Sequence, residues 1–179
     1  AADDEDVFPE PFESFWNTIQ KHLPVTSNVA IGELGSANAN LCDYIKRKLE
    51  SANVIVEAAA VDAQAESIEA IGHHGIRKFT ADIATWKPEG PFDIILMRSV
   101  LHYNSFDEQK NILDNIKGMM DSRSVFFNQL LSGNEQTIRL YQMIQKKVFK
   151  RDVFLLTEGR YMEMAGKLFK YIEKIGDCI

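Results

Sequence analysis

Cysteine is scarce in this chain of 179 residues, which holds only Cys42 and Cys178. They stand far apart with no C-x-x-C spacing, so neither a disulfide framework nor a zinc site of the common kinds is expected. A reducing, cytoplasmic setting suits that usage. Long apolar runs are also missing. Nothing approaches the roughly 18 residues of a membrane span, and the acidic opening AADDEDVFPEP is the opposite of a signal peptide's basic start, so no membrane partner is expected. Positive charge is in deficit, with 20 Lys and Arg against 26 Asp and Glu and a net charge of −6. Such a balance is a poor grip on a phosphate backbone and ranks nucleic acid low among partners. Solenoid repeats and low-complexity tracts are absent too.

What remains is a globular composition, 45% hydrophobic and 26% charged, in a length of about one domain. Residues 1–11, acidic and carrying Pro9 and Pro11, read as a mobile lead-in, and 12–179 as a single domain. Phe12, Phe15, Trp16, Ile19 and Leu23 recur at three and four, which predicts an amphipathic helix ending near Pro24. Asn28 to Leu34 reads as a strand stopping at Gly35, and Leu41, Tyr44, Ile45 and Leu49 mark the helix after it. The unit repeats. Asn53 to Val61 ends at Asp62 before the helix-forming AESIEAIG. Ile76 to Phe79 leads into Ala81, Asp82 and Ile83, and Phe92 to Met97 is another buried strand. Ile112, Leu113, Ile116 and Met119 form a helix stripe, and Ser124 to Leu131 reads as a fifth strand. Beyond Gly133 only helices are predicted, on Ile138, Tyr141, Ile144 and Val148 and then on Tyr161, Met164, Ala165, Leu168, Phe169 and Ile172. Strands alternating with helices predict an α/β domain with a mostly parallel sheet covered on both faces.

Ligands of such sheets bind at the carboxyl ends of the strands, near the point where strand order reverses. Those ends carry Glu33-Leu34-Gly35, Asp62, Asp82, and the run Arg98-Ser99-Val100-Leu101-His102-Tyr103. Three carboxylates at four strand ends suit a nucleoside with free ribose hydroxyls or a cofactor bearing positive charge.

In order and spacing, these loops resemble the motifs of the class I S-adenosylmethionine-dependent methyltransferases. VAIGELGSANAN (29–40) is similar to the family's glycine-rich first motif, VDAQAESIEAI (61–71) to the second, FTADIATW (79–86) to the third and PFDIILMRSVLHY (91–103) to the fourth. The resemblance covers roughly residues 29–133 and implies a Rossmann-like sheet, S-adenosylmethionine as cofactor and a small-molecule acceptor, natural-product or carrier-bound. It also implies roles. Gly35 and Ser36 would let the backbone approach the cofactor's amino-acid portion. Glu33 would place negative charge near its ammonium. Asp62 would accept from both ribose hydroxyls, and Asp82 from the adenine amino group with Ile83 beside the ring. Arg98 and Ser99 would line the cleft near the methyl donor. His102 and Tyr103 would face the acceptor, His102 serving as base where a proton must leave.

The chain departs from the family at Ala37 and Ala39, where glycine is preferred and where a positive φ disfavours alanine. Met120-Asp121-Ser122-Arg123 replaces a Pro-Gly-Gly turn. The family's C-terminal β-hairpin has no counterpart before the chain stops at Gly176-Asp177-Cys178-Ile179, so its strands are missing or come from elsewhere, a larger parent enzyme or a second copy. Plainer roles exist for the same residues. Asp62 and Asp82 could cap or close loops, His102 could be structural, and Arg98 could pair with Asp93 or Glu108. The stripe at 161–172 could be core or an interaction surface, and the first helix could pack or cover the cofactor. His73-His74 lacks further ligands, so no metal is expected. A nicotinamide-dependent oxidoreductase would need G-x-G-x-x-G, of which only Gly35 is present. The rival outside catalysis is a methyltransferase-fold module that binds or scaffolds without turnover.

Overall fold

Short β-prone apolar runs become strands and segments with three-to-four periodicity become helices in the computed structural model, which describes residues 9–23 and 26–174. In chain order they are α1 (Pro9–His22), β1 (Asn28–Leu34), α2 (Asn40–Ser51), β2 (Ile55–Asp62), α3 (Ala65–Ala70), β3 (Ile76–Thr80), β4 (Ile94–Arg98), a 3-10 turn (Leu101–Tyr103), α4 (Phe106–Gly118), β5 (Val125–Gln129), α5 (Glu135–Phe149) and α6 (Glu158–Gly166). α1 takes in residues 9–11, the end of the segment read as lead-in; a proline costs little in a first turn, whose amides lack intrahelical partners anyway. The strand read from Asn53 starts at Ile55, because Ala52 and a left-handed Asn53 (φ 64°) turn the chain out of α2.

All pairings are parallel, in the order β3-β2-β1-β4-β5. β1 lies at the centre with Leu34 opposite Val61 of β2 on one side and Met97 of β4 on the other. Strand order therefore reverses between β1 and β4. Alternate residues feed two cores. Val29 and Ile31 of β1, with Ile94 and Leu96 of β4, pack under α1, α2 and Ile68 of α3. Leu34, Ile95 and Met97 pack on the other face against Ile112, Leu113 and Ile116 of α4. Gly32 points to this second face, where a Cβ would collide with the Phe92 ring.

α6 and the turn after it close the second face over β5. Phe126 meets Phe169 with ring centroids 5.8 Å apart, and the Asn128 amide donates to the Tyr161 hydroxyl at 3.0 Å. The stripe at 161–172 is thus packing. The helix predicted there ends at Gly166, since the amides of Leu168 and Phe169 both turn back to the Ala165 carbonyl. No strand pairs with the outer edge of β5 among the described residues. The chain's last residues and Cys178 lie outside them.

Candidate functional site

The turn leaving β1 holds three left-handed residues in five, Gly35 (φ 66°), Ala37 (φ 46°) and Ala39 (φ 58°). The amides of Gly35 and Ser36 both donate to the Val61 carbonyl, at 2.8 and 3.2 Å, which fastens the turn to the end of β2. Gly35 has two reasons to be glycine within the protein itself: its φ, and the Val100 side chain, into which a Cβ would be driven. Ala37 and Ala39 adopt the glycine conformation despite their methyl groups, at a cost of roughly 1–2 kcal/mol each. Ser36 is buried and its hydroxyl has no hydrogen-bond partner. A buried unpaired hydroxyl at a strand tip is the kind of group a ligand satisfies.

Glu33 projects to the α1–α2 face and is buried. One carboxylate oxygen accepts the Cys42 amide at 2.8 Å, an otherwise unpaired donor in the first turn of α2. Burial raises its pKa to about 7, opposed by that hydrogen bond and by the charge of Arg98. Arg98, at the end of β4, lies with its guanidinium 5.1 Å from the Phe12 ring centroid. The partners suggested for Arg98 are engaged elsewhere. Asp93 accepts the Ala30 amide at 2.8 Å, and Glu108 closes a capping box with Ser105 at the start of α4.

Asp62 ends β2 and joins two loops. One oxygen accepts the Ala37 amide at 3.1 Å and the other the Gln64 amide at 2.9 Å. Each keeps a lone pair. Asp82, beyond β3, is exposed and uses one oxygen to take the Ala84 amide at 2.8 Å. Ile83 beside it is buried, and its carbonyl, like that of Trp86, is held by the Asn115 amide of α4 at 2.9 and 2.8 Å. No sequence signal pointed to Asn115, a polar residue that sits unremarked on an amphipathic helix.

Ser99, just past β4, is exposed and left-handed (φ 56°), its amide held by the Gln129 carbonyl at 2.9 Å. His102 is buried. Its carbonyl takes the Phe154 amide at 2.7 Å, and Gln109 holds the Phe154 carbonyl at 2.6 Å. Burial, helped by the charge of Arg151, pushes the His102 pKa down and keeps the imidazole neutral. Tyr103 is half exposed, its ring tilted 45° against that of His102, with Arg151 4.9 Å from its ring centroid. His73 is tied to α2 through Asn40 and Asp43, and no cluster of three or more metal-ligating side chains occurs among the described residues.

The structure thus gathers Gly35, Ser36 and Asp62 around one turn and sets Asp82 and Ile83 at the next strand tip. Arg98, Ser99, His102 and Tyr103 end or follow β4, across the β1–β4 reversal. A cleft of about 550 Å³, lined by Ser132, Gly133, Asn134, Glu135, Thr157, Glu158 and Gly159, opens beyond β5 on that side.

No family model and no curated protein matches the chain. Solved structures match in fold. A protein of Bacillus halodurans with a provisional methyltransferase designation superposes with a TM-score of 0.66 at 10% identity, over 87% of this chain and 68% of its own. LepI in complex with S-adenosylmethionine gives 0.66 at 15% identity, over 84% of this chain and 40% of LepI. A Haloferax volcanii protein with a similar designation, in complex with the activator Trm112, gives 0.64 at 12% identity, over 92% and 71%. The chain therefore spans less than half the length of LepI. The five parallel strands and their helices are the class I methyltransferase fold.

Proposed function

We propose that this chain is an S-adenosylmethionine-dependent methyltransferase acting on a small molecule, natural-product or carrier-bound. The observation that carries the reading is Asp62. It ends the strand beside the reversal, holds the left-handed turn of β1 in place, and keeps a free lone pair on each carboxylate oxygen. That arrangement presents a preorganised, ionised acceptor to a vicinal diol. Gly35 and Ser36 flank the same space, with the unpaired Ser36 hydroxyl available to a polar ligand group. Asp82 offers its second oxygen to an exocyclic amine over Ile83. Glu33 acts on the site through α2 and Arg98 rather than by direct exposure.

The bound cofactor supplies a methyl group already activated by its sulfonium. The chain's residues bind, orient and exclude water. His102 is held neutral, the state a general base requires, and Tyr103 marks the acceptor's side. LepI's complex with S-adenosylmethionine supports the cofactor assignment. The edge of β5 left unpaired among the described residues is where strands from a larger parent enzyme or a second copy would pair, and a reducing cytoplasmic setting suits the buried free thiol of Cys42.

Isothermal titration of the purified protein with S-adenosylmethionine and S-adenosylhomocysteine, with NADH as control, tests the proposal. Saturable binding of the first two and none of NADH is expected. Asp62→Ala should weaken it more than about tenfold, since a hydrogen bond to a charged group is worth about 1.5–3 kcal/mol. Absence of binding by the folded protein would overturn the assignment, and unchanged affinity in the variant would remove Asp62 from it. The burial of His102 favours a second reading, a module that binds cofactor without turnover. Binding with no methyl transfer across a panel of hydroxyl, thiol and amine acceptors would select it.

A further inference from the structure

α5 is buried by the wrong face for its sequence. The stripe Ile138, Tyr141, Ile144 and Val148 is apolar, yet the helix packs on Val153 and Leu155 through Ile138 and half-buried Tyr141, with Gln145 buried beside them. Ile144 and Val148 are 41% and 64% exposed, and Leu140 and Met143 stand out beside them. Leu140, Ile144 and Val148 recur every four residues and form one solvent-facing row.

The same helix carries an excess of positive charge in an acidic chain. Residues 139–151 include Arg139, Lys146, Lys147, Lys150 and Arg151 and no acidic residue. Glu135 and Asp152, just outside, pair with Arg139 and Lys146. Among the described residues no carboxylate pairs with Lys147 or Lys150, and Arg151 donates to the Gln145 side chain. Lys147 follows Met143 by four and Ile144 by three, so it lies within the apolar row.

From this pattern we infer that the outer face of α5 docks the protein onto an anionic lipid surface. A protein partner would have to bury Lys147 at the centre of the contact, where interfaces are depleted of lysine. A twofold pairing of two α5 helices would set two positive faces against each other. At a bilayer the Lys147 stem lies among acyl chains while its ammonium reaches a phosphate. The expectation of no membrane partner rested on the lack of a spanning run. No described helix is long and apolar enough to cross, but a helix of 15 residues lying in the interface needs no span.

The test is co-sedimentation of the full chain, without cofactor, with vesicles of phosphatidylcholine alone and of phosphatidylcholine with phosphatidylserine. Sedimentation with the anionic vesicles only, reversed by salt, is expected. Lys147→Gln and Lys150→Gln should each weaken it roughly fivefold, the effect of one cation near an anionic surface. A Leu140→Gln, Val148→Gln double variant should abolish it with circular dichroism and melting unchanged. No anionic-vesicle binding, or binding indifferent to all these changes, would overturn the proposal. So would a concentration-dependent dimer dispersed by the double variant, or equal capture by polyglutamate, which would assign the face to a second copy or to an acidic protein. None of these readouts depends on methyl transfer, so the docking and the enzymatic reading can fail separately.

Discussion

Ala37 shows how a single methyl group can oppose the conformation its turn demands. It is exposed, so its side chain contributes no packing, and φ of 46° leaves only strain. Ala37→Gly should therefore stabilise the fold by about 1 kcal/mol in urea unfolding. Ala39 differs, because its methyl is fully buried in the core and losing it costs about 0.8 kcal/mol, which offsets most of the relief. Glu33 is strained electrostatically. Its folded pKa of about 7 lies above the ordinary 4.5, so the folded state holds a proton that the unfolded chain has released. Stability must then fall as pH rises from about 4.5 to about 7, by up to about 3 kcal/mol. Glu33→Gln keeps an acceptor for the Cys42 amide and should flatten that slope, making the variant more stable than wild type above neutrality. Denaturant unfolding across the pH series reads both. The residue identities here were legible in the sequence, as were the two alanines in glycine's place. That Glu33 would turn inward to α2 was not, because a carboxylate at a strand end can face either side and only the packing of α1 and α2 decides.

Among the elements, α4 does more than cover the sheet. Asn115 holds the carbonyls of Ile83 and Trp86 and so fixes the loop that presents Asp82. Asn115→Ala should lower the melting temperature and weaken S-adenosylhomocysteine binding in titration, while a conservative exchange on the exposed side of α4 leaves both alone. The buried Ile83 carbonyl loses its donor at about 1–3 kcal/mol before relaxation, and the part-buried Trp86 carbonyl at less. Strand limits were readable because each apolar run is bounded by a polar or glycine residue. β1 falls on the predicted Asn28 to Leu34, whereas β5 stops at Gln129, two residues short, once Ser99 has taken the Gln129 carbonyl. α5 misled for a physical reason. A stripe of four apolar residues does not say which flank will be buried when the contact is made by two short aliphatics, Val153 and Leu155, and a buried Gln145.

On the scale of the whole molecule, alternating strand and helix signals were enough to predict a parallel sheet with two covered faces, because parallel neighbours need a crossover and a crossover long enough becomes a helix. The strand order was not written in any local segment; it follows from which edges remain to be paired. That order has a consequence for how the chain is built. Of the five described strands β1 comes first in the chain and ends as the middle one, paired to β2 by a nearby crossover but to β4 only after Ile94 can reach Ile31. Until then the centre of the future sheet is an open edge of apolar residues. Folding must therefore pass through the closure of a long loop, an entropic cost met before its contacts are gained, and a nascent chain halted before β4 would be the form most exposed to wrong pairing.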